Sequence, residues 1–124
     1  MTIDQAIGLL DLQQPNAITR AEKIRWLSEY DAMVYQDVLC TRAPAPDRPF
    51  SGYDETTPAD TELLVPHPYD QVYPLLLEMH CDRLNGELTR YNNTAQLFNN
   101  CHLSFQHCYT RTHAAPESVP LRFG

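Results

Sequence analysis

From Leu88 onward, large side chains recur at Leu88, Tyr91, Ala95, Phe98, His102, Phe105 and Tyr109. Steps of three and four residues in alternation place all seven on one side of a single helix, which the spacing carries to about Thr112. The other positions of this helix hold Asn, Gln and Thr rather than paired Glu and Lys. A helix aromatic on one side and uncharged-polar elsewhere suits packing against neighbours better than it suits bulk water. The pattern points to an assembly module before it points to any chemistry.

Three more helices are predicted upstream. Thr2 followed by Gln5 has the form of a capping box, and Ile3, Ala6, Ile7 and Leu10 follow at helical spacing. That first helix should end by Leu12 or Gln13, ahead of Pro15. Thr19 and Glu22 form a second capping box for a longer helix reaching Leu39 or Cys40. Its apolar side carries Ile24, Leu27, Val34 and Val38, widened by Trp26, Tyr30 and Tyr35. A third helix begins near Pro68 or Tyr69, with a short turn at 68–72 that keeps Pro74 in the first regular turn. Val72, Leu75, Leu76, Met79 and Leu84 make its expected inner face, and Asn85-Gly86 is a good stop. Phe98 and Phe105 are expected to bury themselves against the second and third helices.

Between the second and third helices lies a segment of another character. Residues 41–68 hold six prolines, from Pro44 to Pro68, at a density that excludes helix. Phe50–Tyr53 and Glu62–Val65 could form two short extended pieces paired as a hairpin. A connection this long inside a compact domain is usually functional. The acids Asp54, Glu55, Asp60 and Glu62 are expected at its surface. The fold class read from this pattern is all-α: a four-helix domain over residues 1–113, with the long loop at 41–67, and an extended tail over 114–124. In that tail Pro116 and Pro120 forbid helix, while Val119, Leu121 and Phe123 alternate around Arg122 as a docking strand would.

Charge then narrows the function. The chain of 124 residues carries a formal net charge of −7, and its nine basic residues are scattered. Sequence-independent DNA binding needs clustered Lys and Arg, and the one tight grouping (Arg20, Lys23, Arg25) sits among acids. An acidic protein can still line a channel through which DNA slides without sticking. The start Met1–Gln5 has neither the basic region nor the apolar run of an export signal, and no stretch is long enough to span a membrane. Cys40, Cys81, Cys101 and Cys108 are therefore expected as reduced thiols in a cytosolic setting.

Candidate chemistry is thin. His80-Cys81, Cys101-His102 and His107-Cys108 offer soft ligands, but no close Cys-x-x-Cys pair accompanies them. Glu78 and Asp82 lie one turn apart and could share a proton, yet beside Arg83 they read as a solvated helix face. A phosphate-binding Gly-rich loop, a nucleophile elbow and a His-Glu-x-x-His pattern are all missing. The expectation is no enzyme, no metal and no cofactor. A metal-dependent hydrolase using His80, Cys101 and His107 is a remote alternative.

Several stretches do stand out: Lys23-Ile24-Arg25-Trp26-Leu27-Ser28-Glu29, the run from Asp60 to Asp70, Arg90-Tyr91-Asn92-Asn93, Leu97-Phe98-Asn99 and Arg111-Thr112-His113. Together they resemble the head–tail connector (adaptor, head-completion) proteins of long-tailed bacteriophages, over most of residues 1–113. The resemblance implies an all-α structural subunit of the virion, without enzymatic activity. It implies a homo-oligomeric ring, dodecameric by analogy, stacked between the portal protein and a tail-side connector or tail terminator. DNA would pass through that ring without specific binding, with the acids Asp54, Glu55, Asp60 and Glu62 lining the channel or touching a neighbouring subunit. The runner-up is a small cytosolic regulatory or protein-binding helical domain.

Overall fold

The computed structural model describes residues 1–113. The tail residues Val119, Leu121, Arg122 and Phe123 lie outside the described residues.

Each of the four predicted helices forms. In α1 (Ile3–Gln13) the capping box closes on both sides: the Gln5 amide donates to Thr2 Oγ1 at 3.1 Å, and the Thr2 amide to Gln5 Oε1 at 2.9 Å. Ile3, Ala6, Ile7 and Leu10 face inward. In α2 (Arg20–Asp37) only half of the expected box is made. The Glu22 amide donates to Thr19 Oγ1 at 3.2 Å, but the Glu22 carboxylate turns to Arg25. A guanidinium one turn away outcompetes a backbone amide for that carboxylate. A 3-10 turn, Leu39–Thr41, continues α2 to the predicted end.

The 3-10 turn Tyr69–Gln71 leads into α3 (Val72–Leu84), which takes Pro74 in its first turn as expected. Three inner-face assignments need correction: Leu75 and Met79 are only half-buried and Leu84 is exposed. Tyr73, Leu77 and Cys81 are wholly buried instead. The reason is position, since α3 packs against all three other helices and buries residues on more than one side. Gly86, at φ +71°, makes the left-handed turn that closes α3 and starts α4 (Leu88–Thr112).

The stripe on α4 is rotated from its predicted centre. The helix packs chiefly on α3 and on the Tyr69–Gln71 turn. Its fully buried residues are Thr94 and Phe105, with Phe98, Cys101 and Tyr109 packed at the edge of the core. Leu88, first in the predicted stripe, is 71% exposed. Phe98 meets α2 by setting its ring edge-on to Tyr30 at 5.5 Å. Phe105 is buried as expected, but the rings it meets are Tyr69 of the turn ahead of α3 and Tyr109 of α4 itself.

The expected hairpin does not form. An isolated antiparallel β-bridge joins Glu62 to Thr2 instead, with Leu63 donating to the Met1 carbonyl at 2.9 Å and Ile3 to the Thr61 carbonyl at 3.1 Å. The amides a hairpin would have paired are taken by side chains. Tyr53 donates to Ser28 Oγ at 2.9 Å, Leu64 to Asp31 Oδ2 at 3.0 Å and Val65 to the Tyr73 hydroxyl at 2.7 Å. Gly52, at φ +83°, bends the chain into this contact.

Candidate functional site

The apolar stripe of α2 contains one carboxylate, Asp31, spaced between Leu27 and Val34 and wholly buried. Its oxygens accept from Tyr53 Oη at 2.5 Å, from Tyr73 Oη at 2.6 Å and from the Leu64 amide at 3.0 Å. Burial raises its carboxyl above the ordinary range, and the three donors work against that rise. The same burial pushes the Tyr53 and Tyr73 phenols far up, so both remain donors. One carboxylate thus ties the long loop to α2 and α3. Every donor it meets is structural.

Asp82 is a second buried hub, contrary to the solvated face expected of Glu78 and Asp82. It accepts from Gln14 Nε2 at 3.0 Å and from Thr94 Oγ1 at 3.3 Å, with Arg90 Nε at 3.7 Å. It therefore links α1, α3 and α4. Glu78, half-buried beside it, has a carboxyl raised by its own burial and then by Asp82. The 3.6-residue period places Asp82 on the buried side of α3, a signal the neighbouring Arg83 obscured.

The soft-ligand residues are not brought together. His80 stacks on Trp26 with ring centroids 4.4 Å apart, and His102 Nδ1 meets Tyr30 Oη at 2.8 Å. The Cys101 thiol donates to the Tyr69 carbonyl at 3.4 Å, while His107 stands exposed. Among the described residues, no group of three or more His, Cys, Asp or Glu side chains could hold a metal ion. The hydrolase constellation of His80, Cys101 and His107 is therefore not assembled. The basic grouping is ion-paired: Arg20 to Asp4 at 3.2 Å, Lys23 to Asp11 at 2.7 Å, and Arg25 to Glu22 and Glu29.

Two surfaces remain. On the loop, Asp54, Glu55, Asp60 and Glu62 are all exposed. Asp54 closes its own turn by accepting from the Thr56 hydroxyl and amide, which holds its carboxyl below the ordinary range. Glu62 pairs with the Met1 amine at 3.1 Å. On α4, the side turned from α3 carries Asn93, Gln96, Asn100, Leu103 and His107, every one exposed. Leu97 beside them is 57% exposed and Leu103 46%. From Tyr91 to Thr110 the chain has no Asp, Glu, Lys or Arg. Among the described residues, no helix is long and apolar enough to cross a membrane. No family model, curated protein or solved structure matches the chain.

Proposed function

We propose that this protein is a structural assembly subunit without enzymatic activity: a head–tail connector that rings the DNA channel between the portal and the tail of a long-tailed phage. One observation carries the reading. A helix of 25 residues buries only Thr94 and Phe105 within its own subunit, and from Tyr91 to Thr110 it is free of charge. Its outward amides, with Leu97 and Leu103 exposed among them, offer a partner hydrogen bonds and apolar contact without Asp, Glu, Lys or Arg to repel it. The similarity of its Asn-rich motifs to phage connectors makes neighbouring subunits and the portal the expected cover. The braced acidic loop supports the same reading, since fixed carboxylates facing a channel repel phosphates and let DNA pass.

The test is cosedimentation of the purified chain with tailless capsids that carry a portal, and with capsids that lack one. Several copies per portal vertex, and none on portal-free capsids, are expected. Equal recovery from both, or from neither, overturns the connector reading in favour of a small protein-binding domain.

A further inference from the structure

We propose that the groove between α1 and the Tyr69–Gln71 turn is the seat of an arginine side chain, and that its occupant is the chain's own Arg122. The groove encloses about 510 Å³ and is lined by Met1, Gln5, Gly8, Leu9, Leu12 and Asp70. Asp70 is the one acid of that lining. Its side chain is 9% exposed, and its Oδ1 has no hydrogen-bond partner among the described residues. A buried acceptor left without a donor is costly, so the site calls for a donor from elsewhere. His67 Nδ1 stands 3.6 Å from that oxygen, beyond a hydrogen bond, on a side chain 86% exposed that can turn aside.

The charge of the site is also unbalanced. The Met1 amine stands 3.4 Å from Asp70 Oδ2 and 3.1 Å from Glu62 Oε2, so one ammonium faces two carboxylates. One further cation balances them. Arginine suits the place better than a compact ion, because its planar fork can donate to Oδ1 while its aliphatic stem covers apolar wall. That wall is Leu9 and Leu12, and Leu12 is 81% exposed. Gly8 leaves room for the stem, since even a Cβ there would meet nothing within 4 Å.

The sequence supplies the cation. Of the nine basic residues only Arg122 lies outside the described residues, and none of the others lines the groove. Arg20, Lys23 and Arg25 are paired with acids of their own, and Arg90 stands against Asp82. Reach is sufficient. Asp70 follows Tyr69, whose carbonyl accepts from the Cys101 thiol at 3.4 Å. From Cys101 to the end of α4 is about 17 Å at the helical rise, and residues 114–122 can span about 30 Å. A tether this short keeps the arginine at an effective concentration of about a millimolar, an advantage that an arginine on a separate molecule lacks. The seat does not depend on the connector reading, since cosedimentation with capsids does not probe it.

The experiment is NMR on the full chain labelled with nitrogen-15. The Arg122 Nε–H signal, identified by its loss in Arg122→Gln, should exchange with water at least tenfold more slowly than that of the exposed Arg48. The amide signals of Gly8 and Leu9 should move in Arg122→Gln. Two further variants should bring Arg122 up to the Arg48 rate. Asp70→Asn removes the carboxylate. Leu12→Lys puts a competing ammonium at an exposed position, and so reads out even if Asp70→Asn does not fold. Exchange at the Arg48 rate in the parent overturns the seat. Slow exchange that survives in Leu12→Lys overturns it too, because Arg122 would then be held elsewhere. Slow exchange that is lost on tenfold dilution overturns the intramolecular occupant, since the arginine would then come from a second copy.

Discussion

Trp26 and His80 share a stacked contact between α2 and α3, and Trp26 is the sole tryptophan of the chain. Burial lowers the His80 pKa from 6.5 to about 4, and the nearby Arg83 guanidinium adds to the fall. Glu29 and Glu22 pull the other way, and Arg25 joins Arg83. A depressed histidine binds its proton less tightly folded than unfolded, so its contribution to stability is whole above pH 6.5. It is lost as the pH falls from 6.5 through about 4. Urea melts followed by Trp26 fluorescence should therefore weaken over that window. The variant His80→Phe keeps an aromatic ring against Trp26 and cannot take up a proton, so its melts should lack that part of the decline. An identical decline in His80→Phe would assign the acid sensitivity to other groups.

At the scale of elements, α4 tests how a helix outside the core is held. Phe105 is 2% exposed and fills the gap between α4 and the Tyr69–Gln71 turn. Phe105→Ala should cost roughly 3–5 kcal/mol, the usual range for a buried phenylalanine, out of a total stability of about 5–15 kcal/mol. Phe98→Ala should cost less, since that ring is only half-buried. Thermal or urea denaturation of the two variants measures the difference, and equal losses would place Phe98 in the core after all. The helices themselves were legible, because caps and periodicity are local: Thr2 with Gln5, Thr19 before α2, and Gly86 after α3 all act where they stand. The rotation of α4 was not legible, because it depends on how close α3 approaches. Thr94 reaches Asp82, and Cys101 reaches the Tyr69 carbonyl, only across that contact. The hairpin failed for a related reason. Periodicity cannot reveal that Asp31, Ser28 and Tyr73 take the amides of Leu64, Tyr53 and Val65. Asp31 itself was visible in the pattern as a lone carboxylate on an apolar stripe, a placement that a fold tolerates only with several donors supplied.

At the scale of the molecule, polar interactions divide by depth. Inside, Asp31 and Asp82 fasten the loop and α4 to the rest of the fold. Outside, the loop so fastened displays Asp54, Glu55, Asp60 and Glu62 from a braced backbone. Acids on a braced loop keep a fixed field, which is what a channel wall needs if it is to repel DNA without holding it. The combined variant Asp54→Asn, Glu55→Gln, Asp60→Asn and Glu62→Gln removes four negative charges and leaves a carbonyl oxygen at each position. In Asp54→Asn that oxygen can still accept from Thr56, so the turn stays closed. The Glu62 pair with the Met1 amine is exposed at its carboxylate and so contributes little. Melting should therefore stay within about 0.5–1 kcal/mol of the parent, as for ordinary surface changes. The effect is expected in the particle: capsids built with the neutralised subunit should be impaired in joining tails or in passing DNA, measured as a drop in infectious titre per assembled head. Parental titre from the neutralised subunit would reduce the acidic loop to a solvated surface, while leaving the fastening role of Asp31 beneath it intact.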